Sequence, residues 1–395
     1  MLLTGAQLTD LDQLSQEGAQ ALRRRDPTTA RRLFERVVTA RPSDVGAWFG
    51  LALACQAAGD DRGLTGALDR VLAAEPGHLP ALLMKADHFA KAGDHRAAEA
   101  FYRAAIARAP AIEALPSELQ SEVRRAQSRC AYYASAYESH LRDALSAAGF
   151  DPAKSSRRFS MALDLLLGKK EVYLQTPTSF YYPELPHRQF YERSEFPWLD
   201  GLEAKTDVIR RELLAVVADE RAFRPYVRST DRRPSQEYGG LLDNLDWSAF
   251  YLIEDGAPIA SAVARCPKTM EALRAAPLAQ SPGRTPSVLF SLLRPGARIP
   301  PHTGQINARL ICHLPLIVPD GCGFRVGNEV RYWVEGETLI FDDTIEHEAW
   351  NNSGRLRVVL LFDIWRPELS LEERKLVAAT LAAVGAYGAS PSKSA

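Results

Sequence analysis

The chain has 395 residues with 48 basic against 49 acidic, a formal net charge of −1, so there is no overall electrostatic footprint for nucleic acid or an anionic membrane. That length exceeds the usual size of one domain and predicts two. No apolar run approaches the roughly 18 residues of a membrane-spanning helix, the N-terminal stretch has neither the basic start nor the apolar core of a secretory signal, and the five cysteines are scattered without a Cys-x-x-Cys pair, so neither a zinc knuckle nor a disulfide framework is indicated. A soluble, cytoplasmic protein is expected.

Residues 1 to about 135 are rich in Ala, Leu, Arg and Glu and carry almost no strand signal. Pro42, Pro76 and Pro110 fall 34 residues apart, as do Gly59 and Gly93, each within Ala-Gly-Asp. With Gly18, Ala30 and Phe34 in a first unit, Trp48 and Leu51 in a second, and Phe89, Ala98, Tyr102 and Ala105 in a third, the pattern resembles the tetratricopeptide repeat. The second unit is degenerate, with Leu64 where a small residue is expected. One unit cannot bury its own apolar face, so neighbours must stack. Trp48, Phe89 and Tyr102 are expected in that core. The array reads equally as a groove for a peptide or partner and as a rigid brace. Residues 115–148 read as further helix that caps or links.

After Arg157 aromatics and prolines become frequent, and a helix is predicted over 200–218 from Leu202, Ile209, Leu213 and Val217 at helical spacing. From about residue 244 strands alternate with turns: 246–253, 287–293, 309–318, 323–326, 330–334, 338–341 and 357–365. Short strands at that spacing suggest a double-sheet jelly roll. His302 follows Pro300-Pro301, and His347 lies 45 residues later; both are read as sitting in short turns beside strands. Arg357 follows inside an apolar run and needs an anion there. Two imidazoles at a barrel mouth with a cation deeper in suit an Fe(II) site with an anionic cosubstrate, although imidazole suits zinc and nickel as well. No nucleophile elbow, P-loop or dinucleotide fingerprint is present.

The stretch 287–369 resembles the aspartyl/asparaginyl β-hydroxylases, a branch of the Fe(II)- and 2-oxoglutarate-dependent oxygenases. The resemblance rests on Ser291-Leu-Leu-Arg-Pro-Gly296, Pro301-His-Thr-Gly304, Asn307-Ala-Arg-Leu310, Cys312-His-Leu314, Glu346-His-Glu-Ala-Trp350, Arg357 and Asp363-Ile-Trp-Arg-Pro-Glu-Leu369, with weaker echoes back through Trp247 to Phe196-Pro-Trp198. It implies an α+β multidomain chain: a helical repeat array with capping or linking helices over 1–150, then a double-stranded β-helix (jelly-roll) oxygenase domain with flanking helices over 151–395.

The resemblance also implies roles. His302 and His347 would bind Fe(II). Gly304 stands where most of the wider superfamily carries a carboxylate ligand, so water fills that place. Asp342, Asp343 and Glu346 are nearby carboxylates that read more readily as turn caps or partners of His347 than as ligands. Arg357 with Ser291 would hold the far carboxylate of 2-oxoglutarate, and His313 would contact the same cosubstrate. Arg309 and Trp247 fall on the substrate side. The family pattern carries a second arginine two residues after the first, where this chain has Ile311; that departure makes a less acidic substrate more plausible. The implied reaction consumes 2-oxoglutarate and O2 and hydroxylates the β-carbon of an aspartyl or asparaginyl residue, on a protein or peptide that the repeats would present. Two alternatives stay open: the same chemistry on a lipid acyl chain or small metabolite, and a catalytically silent interaction protein.

Overall fold

In the computed structural model, residues 5–219, 221–229 and 239–387 are described. The chain forms two compact units, Met1–Leu167 and Gly168–Ala395.

The first unit is helical: α1 (Gly5–Arg23), α2 (Pro27–Ala40), α3 (Val45–Ala58), α4 (Asp61–Ala74), α5 (Leu79–Lys91), α6 (His95–Arg108), α7 (Ser117–Ala147) and α8 (Arg157–Leu166). The 34-residue period is written into its turns. Asp26, Asp60 and Asp94 each accept an amide of the helix they open, from Thr29 at 3.0 Å, Gly63 at 2.9 Å and Ala97 at 3.0 Å. The residue before each is left-handed, with φ of 58° at Arg25, 73° at Gly59 and 79° at Gly93. The amides of Arg25 and Asp26 return to Leu22 and Ala21, those of Gly59 and Asp60 to Gln56 and Cys55, and those of Gly93 and Asp94 to Ala90 and Phe89. Each turn therefore closes one helix and caps the next.

Packing follows the small residues. A Cβ on Gly18 or Gly50 would come within 2.9 or 2.5 Å of the Phe34 ring, so both glycines give that ring its seat. Tyr102 is buried and Phe89 partly so, and α7 lays Val123, Ala126 and Tyr133 against the Leu82, Ala86 and Tyr102 cluster. Trp48 packs at the edge of the preceding cluster and donates from Nε1 to Pro42 O at 2.8 Å.

The second unit contains strands β1 (Phe190–Tyr191), β2 (Arg224–Pro225), β3 (Trp247–Glu254), β4 (Ala257–Pro258), β5 (Val288–Leu293), β6 (Arg298–His302), β7 (Arg309–Ile317), β8 (Cys322–Val326), β9 (Glu329–Arg331), β10 (Leu339–Phe341), β11 (His347–Asn351) and β12 (Arg357–Trp365). Its helices are α9 (Leu199–Glu203), α10 (Thr206–Val217), α11 (Ala260–Arg265), α12 (Pro267–Ala272) and α13 (Leu371–Ala386). One antiparallel sheet runs β1-β10-β7-β12-β5-β3-β2, with β4 on β3; the other runs β6-β11-β8-β9. From β5 to β12 the chain crosses repeatedly between the two sheets, the winding of a jelly roll.

Leu289, Leu293, Val359 and Leu361 of the large sheet meet Ile299, Phe324, Val326 and Ala349 of the small one in a shared core. The opposite face of the large sheet, through Leu310, Cys312, Leu314 and Leu316, is covered by Leu199 and Leu202 of α9 and Ile209, Leu213 and Val216 of α10. Covered on both faces, β12 is buried along its whole length, as its unbroken apolar run requires.

Two strands differ from the sequence expectation. His302 ends β6 and His347 begins β11, rather than sitting in turns. The Pro300-Pro301 pair hid β6, because proline is tolerated only at a sheet edge, and β6 is the outermost strand of the small sheet.

Candidate active site

Antiparallel pairing of β6 with β11 sets His302 directly opposite His347, and the two rings lie 4.0 Å apart between centroids. Each Nδ1 sits against the carbonyl two residues earlier, His302 to Pro300 at 2.8 Å and His347 to Ile345 at 3.1 Å. Those contacts assign the proton to Nδ1 and the lone pair to Nε2. Burial holds both imidazoles below their ordinary pKa, His347 well below, so both are neutral at pH 7.

Arg357, at the start of β12, is 1% exposed. Its guanidinium lies 4.8 Å from the Trp333 ring centroid, and Nη1 reaches Ser291 O at 3.4 Å. The Nε has no hydrogen-bond partner, and burial pushes the pKa down to about 10. A buried cation without a carboxylate is costly to the folded chain. Ser291 lies beside it and accepts at Oγ from Trp247 Nε1 at 3.2 Å. His313 is buried among Phe341, Phe324 and Trp333; its Nδ1 has no partner, and burial, then Arg357, hold it well below the usual imidazole range.

Arg309 donates from Nη2 to Asp343 at 3.1 Å, and its Nη1 lies 3.7 Å from Asp363. Burial raises the Asp343 carboxyl to about 6 against the pull of Arg309. A Cβ at Gly304 would lie 2.0 Å from Asp343 Oδ2, so the Asp343 carboxylate fills the space that a side chain at 304 would need. The other two carboxylates near His347 are engaged elsewhere. Glu346 pairs with Arg325 at 2.9 Å. Asp342 is fully buried against Arg366 and accepts from the Thr344 amide at 3.0 Å and hydroxyl at 2.6 Å. Among the described residues no group of three His, Cys, Asp or Glu side chains could hold a metal ion.

All seven site residues expected from sequence, Trp247, Ser291, His302, Arg309, His313, His347 and Arg357, line one cavity of about 630 Å³. Residues 203–367 match the family described as aspartyl/asparaginyl beta-hydroxylase. This stretch is similar to that family. Residues 16–61 and 66–111 match the tetratricopeptide repeat. The human aspartyl/asparaginyl beta-hydroxylase is 36% identical over 178 residues, 44% of this chain and 22% of that protein. The ornithine lipid ester-linked acyl 2-hydroxylase of Rhizobium tropici is 35% identical over 189 residues, 47% of this chain and 63% of that protein. Among solved structures, the TPR2B domain of yeast Sti1 aligns over 31% of this chain and 98% of that one, at 15% identity and a TM-score of 0.28. The chain thus spans less than two thirds of either relative.

The cavity and its surroundings hold further residues that the sequence left unmarked. Tyr226 stacks on Trp247 at 3.9 Å and lines the cavity, but it follows a two-residue strand with no periodic signal. Trp333 faces Arg357 from beyond the end of β9. Arg366, the central position of the motif Asp363–Leu369, carries no sign that it supports the Asp342 turn ahead of His347; besides Asp342, it binds Asn307 O at 2.5 Å and the Tyr191 hydroxyl at 2.6 Å. Among the described residues no helix is long and apolar enough to cross a membrane.

Proposed function

We propose that this chain is an Fe(II)- and 2-oxoglutarate-dependent hydroxylase with O2 as the further cosubstrate. The observation that carries the reading is that the facing His302 and His347 rings, 4.0 Å apart, share a cavity with Arg357, a buried guanidinium that forms no ion pair among the described residues. The residues fit the group: two neutral imidazoles suit Fe(II), and an arginine fork suits a carboxylate. When bound, the iron with 2-oxoglutarate and O2 supplies the oxidising chemistry.

The chain's own residues hold and orient. His302 and His347 would ligate the metal, their tautomers fixed by the Pro300 and Ile345 carbonyls. Gly304 brings no third side-chain ligand, so water would complete the set. Arg357, with Ser291 beside it, would take the remote carboxylate of the cosubstrate, and His313 a second contact to it. Trp247, stacked on Tyr226, walls the substrate side.

The substrate carbon is the β-carbon of an aspartyl or asparaginyl residue, on a protein or peptide for which the repeats offer a binding surface. A second reading, hydroxylation of an acyl chain, draws support from Ile311 in the cavity wall and from the name of the rhizobial relative. A cytoplasmic setting, where thiols stay reduced, suits the five unpaired cysteines.

The test is succinate release from 2-oxoglutarate by protein reconstituted anaerobically with Fe(II) and then exposed to O2. Wild type is expected to release succinate even without substrate, and His347→Ala to lose at least about a hundredfold of that rate. Equal rates in the two proteins would dismiss the assigned ligand.

A further inference from the structure

Among the described residues three arginines line the cavity: Arg228, Arg309 and Arg357. They are not equally available to an anion. Arg309 faces two carboxylates, Asp343 at 3.1 Å and Asp363 at 3.7 Å, and Asp363 is itself anchored by the Ser287 amide at 2.6 Å. One guanidinium against two carboxylates leaves no surplus positive charge at that point, and its buried Nε, which has no hydrogen-bond partner, is the donor that remains there. Arg228 stands at the rim, with a side chain 48% exposed, and shares Glu254 with Arg224. Its field is screened by solvent. Only Arg357, among these three, is buried without a carboxylate.

The wall beside Arg309 is also unsuited to a second anion. Arg309, Ile311 and His313 alternate along β7 and all line the cavity. Ile311 packs in the core cluster with Phe341 and Leu361. On the same cavity wall, Asp343 presents beside Arg309 a buried Oδ1 without a hydrogen-bond partner. A carboxylate brought here would lose its hydration, gain no unshared cation and face a like charge.

We propose that the cavity admits a single carboxylate ligand, at Arg357, and that the substrate group presented for reaction is uncharged, with Ile311 as a specificity-determining residue. This rests on the function proposed above. Of the substrates proposed above it keeps the asparaginyl amide and the acyl chain and removes the aspartyl carboxylate.

The test uses the full chain loaded with Mn(II), which is paramagnetic, and saturated with N-oxalylglycine, an unreactive analogue of 2-oxoglutarate. Proton relaxation of the acetyl group of N-acetyl-aspartate methylamide reports its approach to the metal. Wild type is expected to relax that fragment at least about tenfold less than Ile311→Arg does. Relaxation in wild type as strong as in Ile311→Arg overturns the proposal. An Ile311→Arg protein that binds N-oxalylglycine, and is therefore folded, yet leaves the fragment unrelaxed removes Ile311 from the role. The N-oxalylglycine signals are read in the same samples: no relaxation of these in wild type means that the Fe(II)/2-oxoglutarate reading itself has failed and takes this inference with it. If they are relaxed, an excess of fragment relaxation in wild type counts against the single-anion cavity alone.

Discussion

Arg357 is the residue at which function and stability pull in opposite directions. The folded chain buries this guanidinium, 1% exposed, with one long contact to Ser291 O and the face of Trp333 in place of a carboxylate. Burial depresses its pKa to about 10, the sign of a charge that the fold disfavours and a ligand would relieve. Replacing even a paired buried ion and its partner by apolar side chains of similar volume is often neutral or stabilising by about 1–4 kcal/mol in other proteins, and an ion without a partner has less attraction to lose. The variant Arg357→Met is therefore expected to be more resistant to urea than wild type without ligand, while binding N-oxalylglycine at least about thirtyfold more weakly. Denaturation midpoints and titration calorimetry read the two halves separately. A ligand-free variant less stable than wild type would mean that the contacts to Ser291 and Trp333 outweigh the buried charge. Unchanged N-oxalylglycine affinity would move the anion site elsewhere.

Among elements, the helical turns give the sharpest comparison, because the chain repeats the same device three times with one deviation. Gly59 and Gly93 take the left-handed conformation freely, whereas Arg25 holds it at φ 58° with a side chain. The hydrogen bonds around all three turns correspond, so the difference is confined to backbone strain of about 1 kcal/mol. Arg25→Gly is accordingly expected to raise the stability of the helical unit by about 0.5–1 kcal/mol, less the entropy glycine adds to the unfolded chain. Chemical denaturation followed by helical circular dichroism measures it; a lower midpoint would show that the Arg25 side chain contributes more than its backbone costs.

The same comparison shows what sequence could carry. The 34-residue spacing of Pro, Gly and Asp marked these turns because a left-handed residue and an N-cap each restrict residue type. The long strands β3, β5, β7 and β12 were equally legible as apolar runs. By contrast β6 was masked by Pro300-Pro301, whose place at a sheet edge depends on strand order. The strand β11 was masked by polar side chains, His347 and Asn351, turned inward. The seven site residues were marked by motif, but the pairing of Arg309 with both Asp343 and Asp363 was not. It joins side chains from β7, the loop before β11 and β12, and only the folded register brings them together.

At the scale of the whole chain, each unit has its own buried clusters, around Phe34 and Tyr102 in the first and between and behind the two sheets in the second. Every residue lining the cavity belongs to the second unit. A ligand that binds only the folded form adds about 2.7 kcal/mol at a hundredfold excess over its Kd. For a unit of this size that corresponds to about 5–10 °C in Tm. A truncated ring such as Phe34→Ala costs about 3–5 kcal/mol where the site cannot collapse, and the two glycines that seat Phe34 bring no side chain of their own into the space. Scanning calorimetry of the full chain is therefore expected to show two transitions. Mn(II) with N-oxalylglycine should raise one of them, and Phe34→Ala should lower the other. If both perturbations instead displaced one common transition, the repeat array and the second unit would form a single cooperative unit, and ligand binding at the cavity would stabilise the repeats as well.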